Sequence, residues 1–247
     1  MWSRVALVGV LAATMVGCGS RQDEADDGPT VVASTTWAGA YAKAAGATDV
    51  RVLNGAVQTD PLRTPQPSEL ATAAAADFVV FAESDPFAAE LKAAAGDAVL
   101  VPVTLRYDRA VISDEVTRLG GILGASVAAQ QWVTDFQATW DGIQVAGRSL
   151  NPIPPWRVVA EENVADWARF MGLNLVGVYQ RGAVAAPQLA RLRAARPKLQ
   201  VDDADKLGAP PELGTPNVAV SNFPQDDLDM VPLIRRNTEI FTDAFNS

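Results

Sequence analysis

Short apolar segments alternate with helical segments along the first half of the chain. Four apolar runs are typical of buried strands: Thr30–Ser34, Val50–Leu53, Asp77–Phe81 and Ala98–Val101. Helical segments lie between them: Trp37–Ala45, a helix that begins at Pro67, and Pro86–Ala95. Strands that alternate with helices form a mostly parallel sheet with helices on its faces, so this order predicts an α/β lobe.

The apolar period changes between residues 125 and 150. Trp132, Phe136, Trp140 and Ile143 recur at helical spacing and form one stripe of a long helix. We expect this stripe to pack against the rest of the protein. The segment Asn151–Pro155 contains three prolines and ends the helix.

A second series of strands and helices follows the long helix. Strands are predicted at Arg157–Ala160, Leu173–Tyr179, Leu199–Val201 and Asn217–Val220. Helices are predicted before Gly172, at Pro187–Arg193 and at Asp229–Phe245. The sequence therefore predicts an α/β protein of two lobes, 30–124 and 151–247, with mostly parallel sheets flanked by helices and joined by one long helix, 125–150. One continuous α/β domain is the alternative.

The first residues have the pattern of an export signal. A short basic region at Arg4 precedes the apolar run Val5–Val16, which is too short to span a bilayer and suits a signal peptide. Residues 1–17 are therefore predicted to be a signal peptide. The polar, acidic segment 18–29 is predicted to be a flexible tether.

The end of the apolar run resembles a bacterial lipobox. Met15-Val16-Gly17-Cys18 has this form, although Met15 stands where Leu is usual. The resemblance implies that Cys18 carries lipid and anchors the mature chain to the outer side of a bacterial membrane. An ordinary signal peptide that happens to contain a cysteine is the alternative.

Composition excludes several classes of function. The 247 residues carry a net charge of −9, which argues against a nucleic-acid partner. The chain has no His and one Cys, so Cys-His and Ser-His-Asp catalytic arrangements are excluded and an internal disulfide cannot form. Gly120–Gly124 lies within a helical pattern and lacks the context of a phosphate-binding loop. We expect no cofactor and no enzymatic activity.

Several segments resemble the metal-binding solute-binding proteins of zinc and manganese ABC transporters, known as cluster A-I. The matching segments are Val31–Trp37, Thr59-Asp60-Pro61, Pro65–Leu70, Ala74–Phe81, Asp85-Pro86-Phe87 and Trp167–Leu173. The resemblance implies a lipid-anchored, monomeric binding protein that delivers a small ligand to an ABC permease in the membrane. The alternative is a non-transporting envelope lipoprotein that uses the same fold for protein–protein interaction or adhesion.

The metal ligands of this family do not carry over to the chain. The family's first two histidine positions correspond to Leu62 and to Arg109 or Ala110, and its third ligand position corresponds to Glu161. Its two carboxylate positions correspond to Asp202 or Asp203 and to Asn222 or Ser221. Leucine offers a cation no ligand and arginine repels it, so we expect that tight zinc binding is lost and predict no metal ligand. A cation held by oxygen atoms alone is the alternative.

Six residues are candidates for contact with a ligand in a cleft between the lobes: Trp37, Asp60, Arg109, Glu161, Asp202 and Asn222. Trp37 follows the first strand, where α/β proteins place ligand contacts, but it can equally belong to the core. Arg109 is predicted to reach across the cleft to Glu161 or Asp202 in place of a metal ion. The acidic run 202–205 can bind a cation or form a solvated loop.

Overall fold

The computed structural model describes residues 28–54, 63–182, 184–206 and 208–246. The predicted signal peptide, Cys18, and the loop with Asp60 and Leu62 lie outside the described residues. Within the described residues, no helix is both long enough and apolar enough to cross a membrane.

The N-terminal lobe is built on a parallel sheet of four strands: β1 (Thr30–Thr35), β2 (Asp49–Asn54), β3 (Phe78–Ala82) and β4 (Val99–Val103). Their spatial order is β2-β1-β3-β4. The helices of this lobe are α1 (Thr36–Ala44), α2 (Pro67–Ala74) and α3 (Ala88–Ala94). The central strands β1 and β3 are rich in valine and buried on both faces, as expected for a sheet that is covered by helices.

The C-terminal lobe repeats this plan. Its strands are β5 (Arg157–Glu161), β6 (Asn174–Tyr179), β7 (Leu199–Asp203) and β8 (Asn217–Val220). They pair in parallel in the order β6-β5-β7-β8. The remaining elements are a short 3-10 turn (Glu162–Val164) and the helices α6 (Ala165–Phe170), α7 (Ala186–Ala194) and α8 (Met230–Phe245).

Two helices in succession connect the lobes, α4 (Arg109–Ile122) and α5 (Ser126–Ser149). The 24 residues of α5 span about 36 Å. Phe136, Trp140 and Ile143 are buried along one side of α5, and the rings of Phe136 and Trp140 lie 5.6 Å apart. The prediction that this stripe serves packing is confirmed.

One hydrophobic core joins the two lobes. It contains Val31 and Ala33 from the N-terminal sheet, Trp140 from α5, and Val158 and Phe241 from the C-terminal lobe. The predicted fold class is confirmed: the chain is an α/β protein of two lobes with parallel sheets, connected through a long helix. The shared core means that the two lobes pack as one body.

Candidate functional site

A cavity of about 510 Å³ lies between the two lobes. It is lined by residues that follow the carboxyl ends of strands in both sheets: Trp37, Ser84, Asp85, Leu105, Arg106 and Tyr107 from the N-terminal lobe, and Glu162, Asn163, Asp166, Asp203, Asp205, Lys206, Asn222 and Phe223 from the C-terminal lobe. Ligands of open α/β sheets bind outside the carboxyl ends of the strands. The cavity also has the size of a small-molecule site, so we take it as the candidate binding site and refer to it as the cleft.

Aromatic rings from both lobes meet at the cleft. Trp37 and Tyr107 of the N-terminal lobe stack with ring centroids 4.9 Å apart. Phe223 of the C-terminal lobe meets Trp37 edge-on at 6.0 Å, and Trp167 lies 4.5 Å from Tyr107. These contacts give the cleft a rigid apolar wall that both lobes share.

Asn222 ties these rings to the polar part of the cleft. Its side-chain carbonyl accepts a hydrogen bond from the Trp167 indole at 2.9 Å, and its amide donates to the Asn163 carbonyl at 2.8 Å. Its backbone carbonyl accepts from the Tyr107 hydroxyl of the other lobe at 2.9 Å. Burial raises the pKa of Tyr107 well above its usual value, so this hydroxyl stays a donor.

Carboxylates dominate the polar part of the cleft. Asp205 accepts hydrogen bonds from the Ser221 hydroxyl and from the Asn222 backbone N–H at 2.9 Å. Asp203 is 4% exposed, and burial together with the nearby charges of Asp205 and Glu161 raises its pKa to about 6. Burial also raises the pKa of Asp85, against a hydrogen bond from the Ala82 N–H. These carboxyl groups are held in a setting that disfavours their charge.

Lys206 places a positive charge among the carboxylates of the cleft. The Lys206 ammonium lies 2.7 Å from the Glu161 carboxylate, which also accepts the Asn163 N–H at 2.8 Å. Glu161 is fully buried and Lys206 is 37% exposed, so the pair is half shielded from water. Lys206 therefore neutralises the Glu161 charge from within the same lobe.

Of the predicted site residues, Trp37 and Asn222 line the cleft, and Glu161 lies directly behind it. Arg109 does not line the cleft. It binds both oxygens of Asp141 on α5, at 2.8 and 2.7 Å, and both side chains are about half exposed. The predicted bridge from Arg109 to Glu161 or Asp202 is therefore wrong.

The local fold explains this misplacement. Asp108 caps α4 by accepting the backbone N–H groups of Ala110 and Val111. Arg109 is thus the first residue of a helix and faces the neighbouring helix α5. Tyr107, two residues earlier, is the residue that enters the cleft.

Asp202 also lies away from the cleft. Its carboxylate accepts hydrogen bonds from the Tyr179 hydroxyl and the Gln200 amide, and the Arg181 guanidinium lies 3.6 Å away. Successive residues of a strand point to opposite faces, and Asp203 is therefore the one that lines the cleft. The interpretation of 202–205 as a solvated loop is wrong for Asp202 and Asp203, which are both buried.

Lys206 and Tyr107 line the cleft but were not among the sequence-based candidates, and Asp205 was considered only as part of the acidic run 202–205. Lys206 and Asp205 follow the end of β7, so their position after a strand was a usable signal. Tyr107 had no such signal, because it depends on where α4 begins.

A metal site is not apparent in the described part of the chain. No three side chains of His, Cys, Asp or Glu come together there in a way that could hold a metal ion. The sequence as a whole contains no histidine.

Two lobes with parallel sheets, joined by a long helix and with a cleft between them, match the two-lobe fold of solved solute-binding proteins. Similar solved structures include the solute-binding protein FpvC from Pseudomonas aeruginosa in complex with Mn²⁺, with a TM-score of 0.69 and 15% identity over 89% of this chain and 98% of that chain. ZnuA has a TM-score of 0.67 and 15% identity over 89% and 100% of the two chains.

The laminin-binding protein Lbp of Streptococcus pyogenes is also similar, with a TM-score of 0.65 and 14% identity over 89% of this chain and 99% of that chain. No family model and no curated protein matches the sequence. The similarity therefore shows the fold and does not identify the ligand.

Proposed function

We propose that the chain is an extracytoplasmic, lipid-anchored solute-binding protein of an ABC importer that does not bind zinc tightly. The fold and the position of the cleft support a solute-binding role. One observation supports the absence of tight zinc binding: the Lys206 ammonium lies 2.7 Å from the Glu161 carboxylate, beside the cleft.

The physical argument concerns the charge and the ligands that a metal ion would meet. Lys206 already neutralises Glu161, so this carboxylate offers a metal ion no uncompensated charge. The chain offers no imidazole nitrogen, which zinc sites commonly use, and its one cysteine is the predicted lipid attachment site. A divalent ion would have to displace Lys206 and bind to oxygen atoms alone.

Calorimetry with zinc and with manganese on the chelator-treated full chain tests this proposal. We expect no one-to-one binding tighter than about 1 μM, which corresponds to about −8 kcal/mol. Lys206→Gln, which removes the internal cation, is the informative second variant, because any gain of weak manganese binding should appear there first. Submicromolar binding to the unaltered chain would restore a metal-transport function.

The lipid anchor has its own test. The Cys18→Ser chain, expressed in a bacterium that processes lipoproteins, should lose acyl labelling and either leave the membrane or accumulate as precursor. A variant that remains acylated and membrane-bound would show that Cys18 is not the attachment site.

A role in adhesion is the second candidate function, because the laminin-binding proteins share this fold. The two functions differ in the partner that they require. A permease and an ATPase encoded beside this chain, and capture of that permease by the purified protein, favour transport. Binding to immobilised laminin without a permease partner favours adhesion.

A further inference from the structure

The charge of the cleft lining is unbalanced. Its carboxylates outnumber its cations by five to two: Asp85, Glu162, Asp166, Asp203 and Asp205 against Arg106 and Lys206. Both cations are already paired, Arg106 with Asp166 at 3.4 Å and Lys206 with Glu161 at 2.7 Å. The cleft therefore retains negative charge, which disfavours an anionic solute and favours a cationic one.

Asp203 is a buried carboxylate of the cleft without a cationic partner among the described residues. Its carboxyl oxygens accept hydrogen bonds from the Asp205 N–H at 2.9 Å and from the Asn163 side chain. The nearby Arg181 donates to the Asp203 backbone carbonyl instead, at 2.8 Å. A buried carboxylate without a counter-charge is costly, and a cationic group of a solute would remove that cost.

The wall beside these carboxylates suits a cation with a carbon body. Trp37, Tyr107 and Phe223 line the cleft. Trp37 and Tyr107 stack on each other and are largely buried, so the partly buried Phe223 is the ring whose face can attract positive charge. The Trp37 side chain is only 9% exposed, yet its indole N–H has no hydrogen-bond partner among the described residues. A polar group of a bound solute could supply that partner.

Lys206 demonstrates that the site accommodates an alkylammonium group. Its ammonium lies on Glu161 and its chain lines the cleft. A bare divalent ion, in contrast, needs several oxygen ligands at once, and the described residues present no such cluster. An ammonium compound needs one carboxylate and an apolar surface, and both are present.

We propose that the solute of this protein is a small organic cation, whose ammonium group pairs with Asp203 and whose carbon body packs on Trp37, Tyr107 and Phe223. This inference rests on the proposed solute-binding function and names the chemical class of its solute. The cavity of about 510 Å³ has room for a molecule of this kind.

Titration calorimetry on the full chain, purified in detergent, tests the proposal with choline, with putrescine, and with 3,3-dimethyl-1-butanol, the neutral isostere of choline. We expect at least one of the two cations to bind one-to-one. If choline binds more tightly than putrescine, 3,3-dimethyl-1-butanol should bind at least about tenfold more weakly than choline. The Asp203→Asn variant should weaken cation binding by about tenfold or more and leave the neutral compound unaffected.

Two further variants complete the experiment. Asp141→Asn removes the exposed partner of Arg109, outside the cleft, and should leave cation binding unchanged. If Asp203→Asn does not fold, Phe223→Leu replaces a partly buried ring at the cleft and should weaken cation binding several-fold.

The proposal is overturned if neither cation binds at about 10 mM, if the neutral isostere binds as well as choline, or if Asp203→Asn and Phe223→Leu both leave binding intact. Succinate, added as an anionic probe, separates this failure from that of the proposed function. Binding of succinate in the cleft would keep the solute-binding function and reject the cation. Failure to capture a permease, with laminin binding, would reject the transport function itself.

Discussion

Asp203 is the last residue of β7, and Lys206 lies three residues further along the chain. Lys206 neutralises the fully buried Glu161. Asp203 faces the cleft with the like charges of Asp205 and Glu161 nearby. Glu161, behind the cleft, therefore has a cationic partner, whereas Asp203, in the cleft, accepts hydrogen bonds but has no cationic partner among the described residues. Each carboxylate gives a measurable signature.

Asp203, the carboxylate without a cationic partner, should make the stability of the chain depend on pH. The pKa of Asp203 is raised from 3.8 to about 6 in the folded chain. Between these values the folded chain binds more protons than the unfolded chain, so its stability falls as the pH rises from about 4 to about 6. Asp203→Asn should therefore be more stable than the unaltered chain at neutral pH, by up to about 3 kcal/mol, and the difference should shrink in acid.

Urea unfolding of both chains across this pH range measures the effect. Asp141→Asn is the matched control, because Asp141 is about half exposed and pairs with Arg109 at the surface. It should give no comparable gain at neutral pH. A constant difference between Asp203→Asn and the unaltered chain at all pH values would show that Asp203 does not titrate with a raised pKa.

The contribution of Glu161 to the stability of the chain should depend on its pairing with Lys206. In a double-mutant cycle, Lys206→Met and Glu161→Gln should be coupled by about 1 to 2 kcal/mol, less than a fully buried pair because Lys206 is 37% exposed. The same cycle on Arg109→Met and Asp141→Asn should give well under about 1 kcal/mol. Equal coupling in the two cycles, read by denaturant unfolding, would contradict a partly shielded Lys206–Glu161 pair.

The helices α4 and α5 cross closely. Gly120 of α4 is buried against α5, and a Cβ atom added there would lie 2.3 Å from the Cβ of Ala129. The next residue, Gly121, has no atom within 4 Å of the position of such a Cβ. Two neighbouring glycines of one helix therefore have different roles, the first permitting the helix contact.

Replacing each of these glycines by alanine should have effects of opposite sign. Gly120→Ala should destabilise the chain by about 1 to 3 kcal/mol, because the helices must separate or shift. Gly121→Ala should stabilise it by about 0.5 to 1 kcal/mol, because alanine favours an open helical position. Thermal and urea unfolding decide the matter, and a stable Gly120→Ala chain would mean that the crossing is looser than described.

The sequence was most informative about elements and least informative about which way single residues face. Apolar runs and helical stripes located the strands of both sheets and the long helix α5, because burial sets those patterns over many residues. The facing of Asp202 and Asp203 could not be derived, since a shift of one residue reverses the face of a strand. The predicted role of Arg109 was wrong for a similar reason, because the direction of its side chain depends on the helix cap at Asp108.

The site was predicted in part for the same reasons. Trp37 and Asn222 follow strands β1 and β8, and their positions at strand ends could be recognised. The partnership of Lys206 with Glu161 joins residues 45 positions apart in the chain, and no local pattern predicts such a contact. Charge balance across a cleft depends on tertiary structure.

The two lobes are held together both by packing and by hydrogen bonds. One core contains residues of both sheets and of α5, and Tyr107 of the N-terminal lobe hydrogen-bonds to Asn222 of the C-terminal lobe. Lys43 adds a further contact between α1 and the Asp227 carbonyl, at 2.5 Å. A core that crosses the lobe boundary means that neither lobe buries its apolar surface alone.

We therefore expect the chain to unfold in one cooperative transition. Tryptophans lie in both lobes and on α5, at Trp37, Trp140 and Trp167 among others. Tryptophan fluorescence and far-ultraviolet circular dichroism should give coincident urea midpoints, since the loss of one lobe exposes the shared core. Trp167→Phe, which removes the indole bonded to Asn222 in the C-terminal lobe, should lower both midpoints together.

Native-state hydrogen exchange gives the more demanding measurement of the same coupling. The central strands β1 and β5 belong to different lobes, and their amides should open with the same free energy, which should equal that of global unfolding. Exposed α7, which places a single buried residue, Leu192, against its sheet, should open at lower free energy and serves as the internal control. If β5 exchanged at a clearly lower free energy than β1, the lobes would unfold separately. The continuous core would then be a contact between two independent units, and the cleft between them could open without unfolding either lobe.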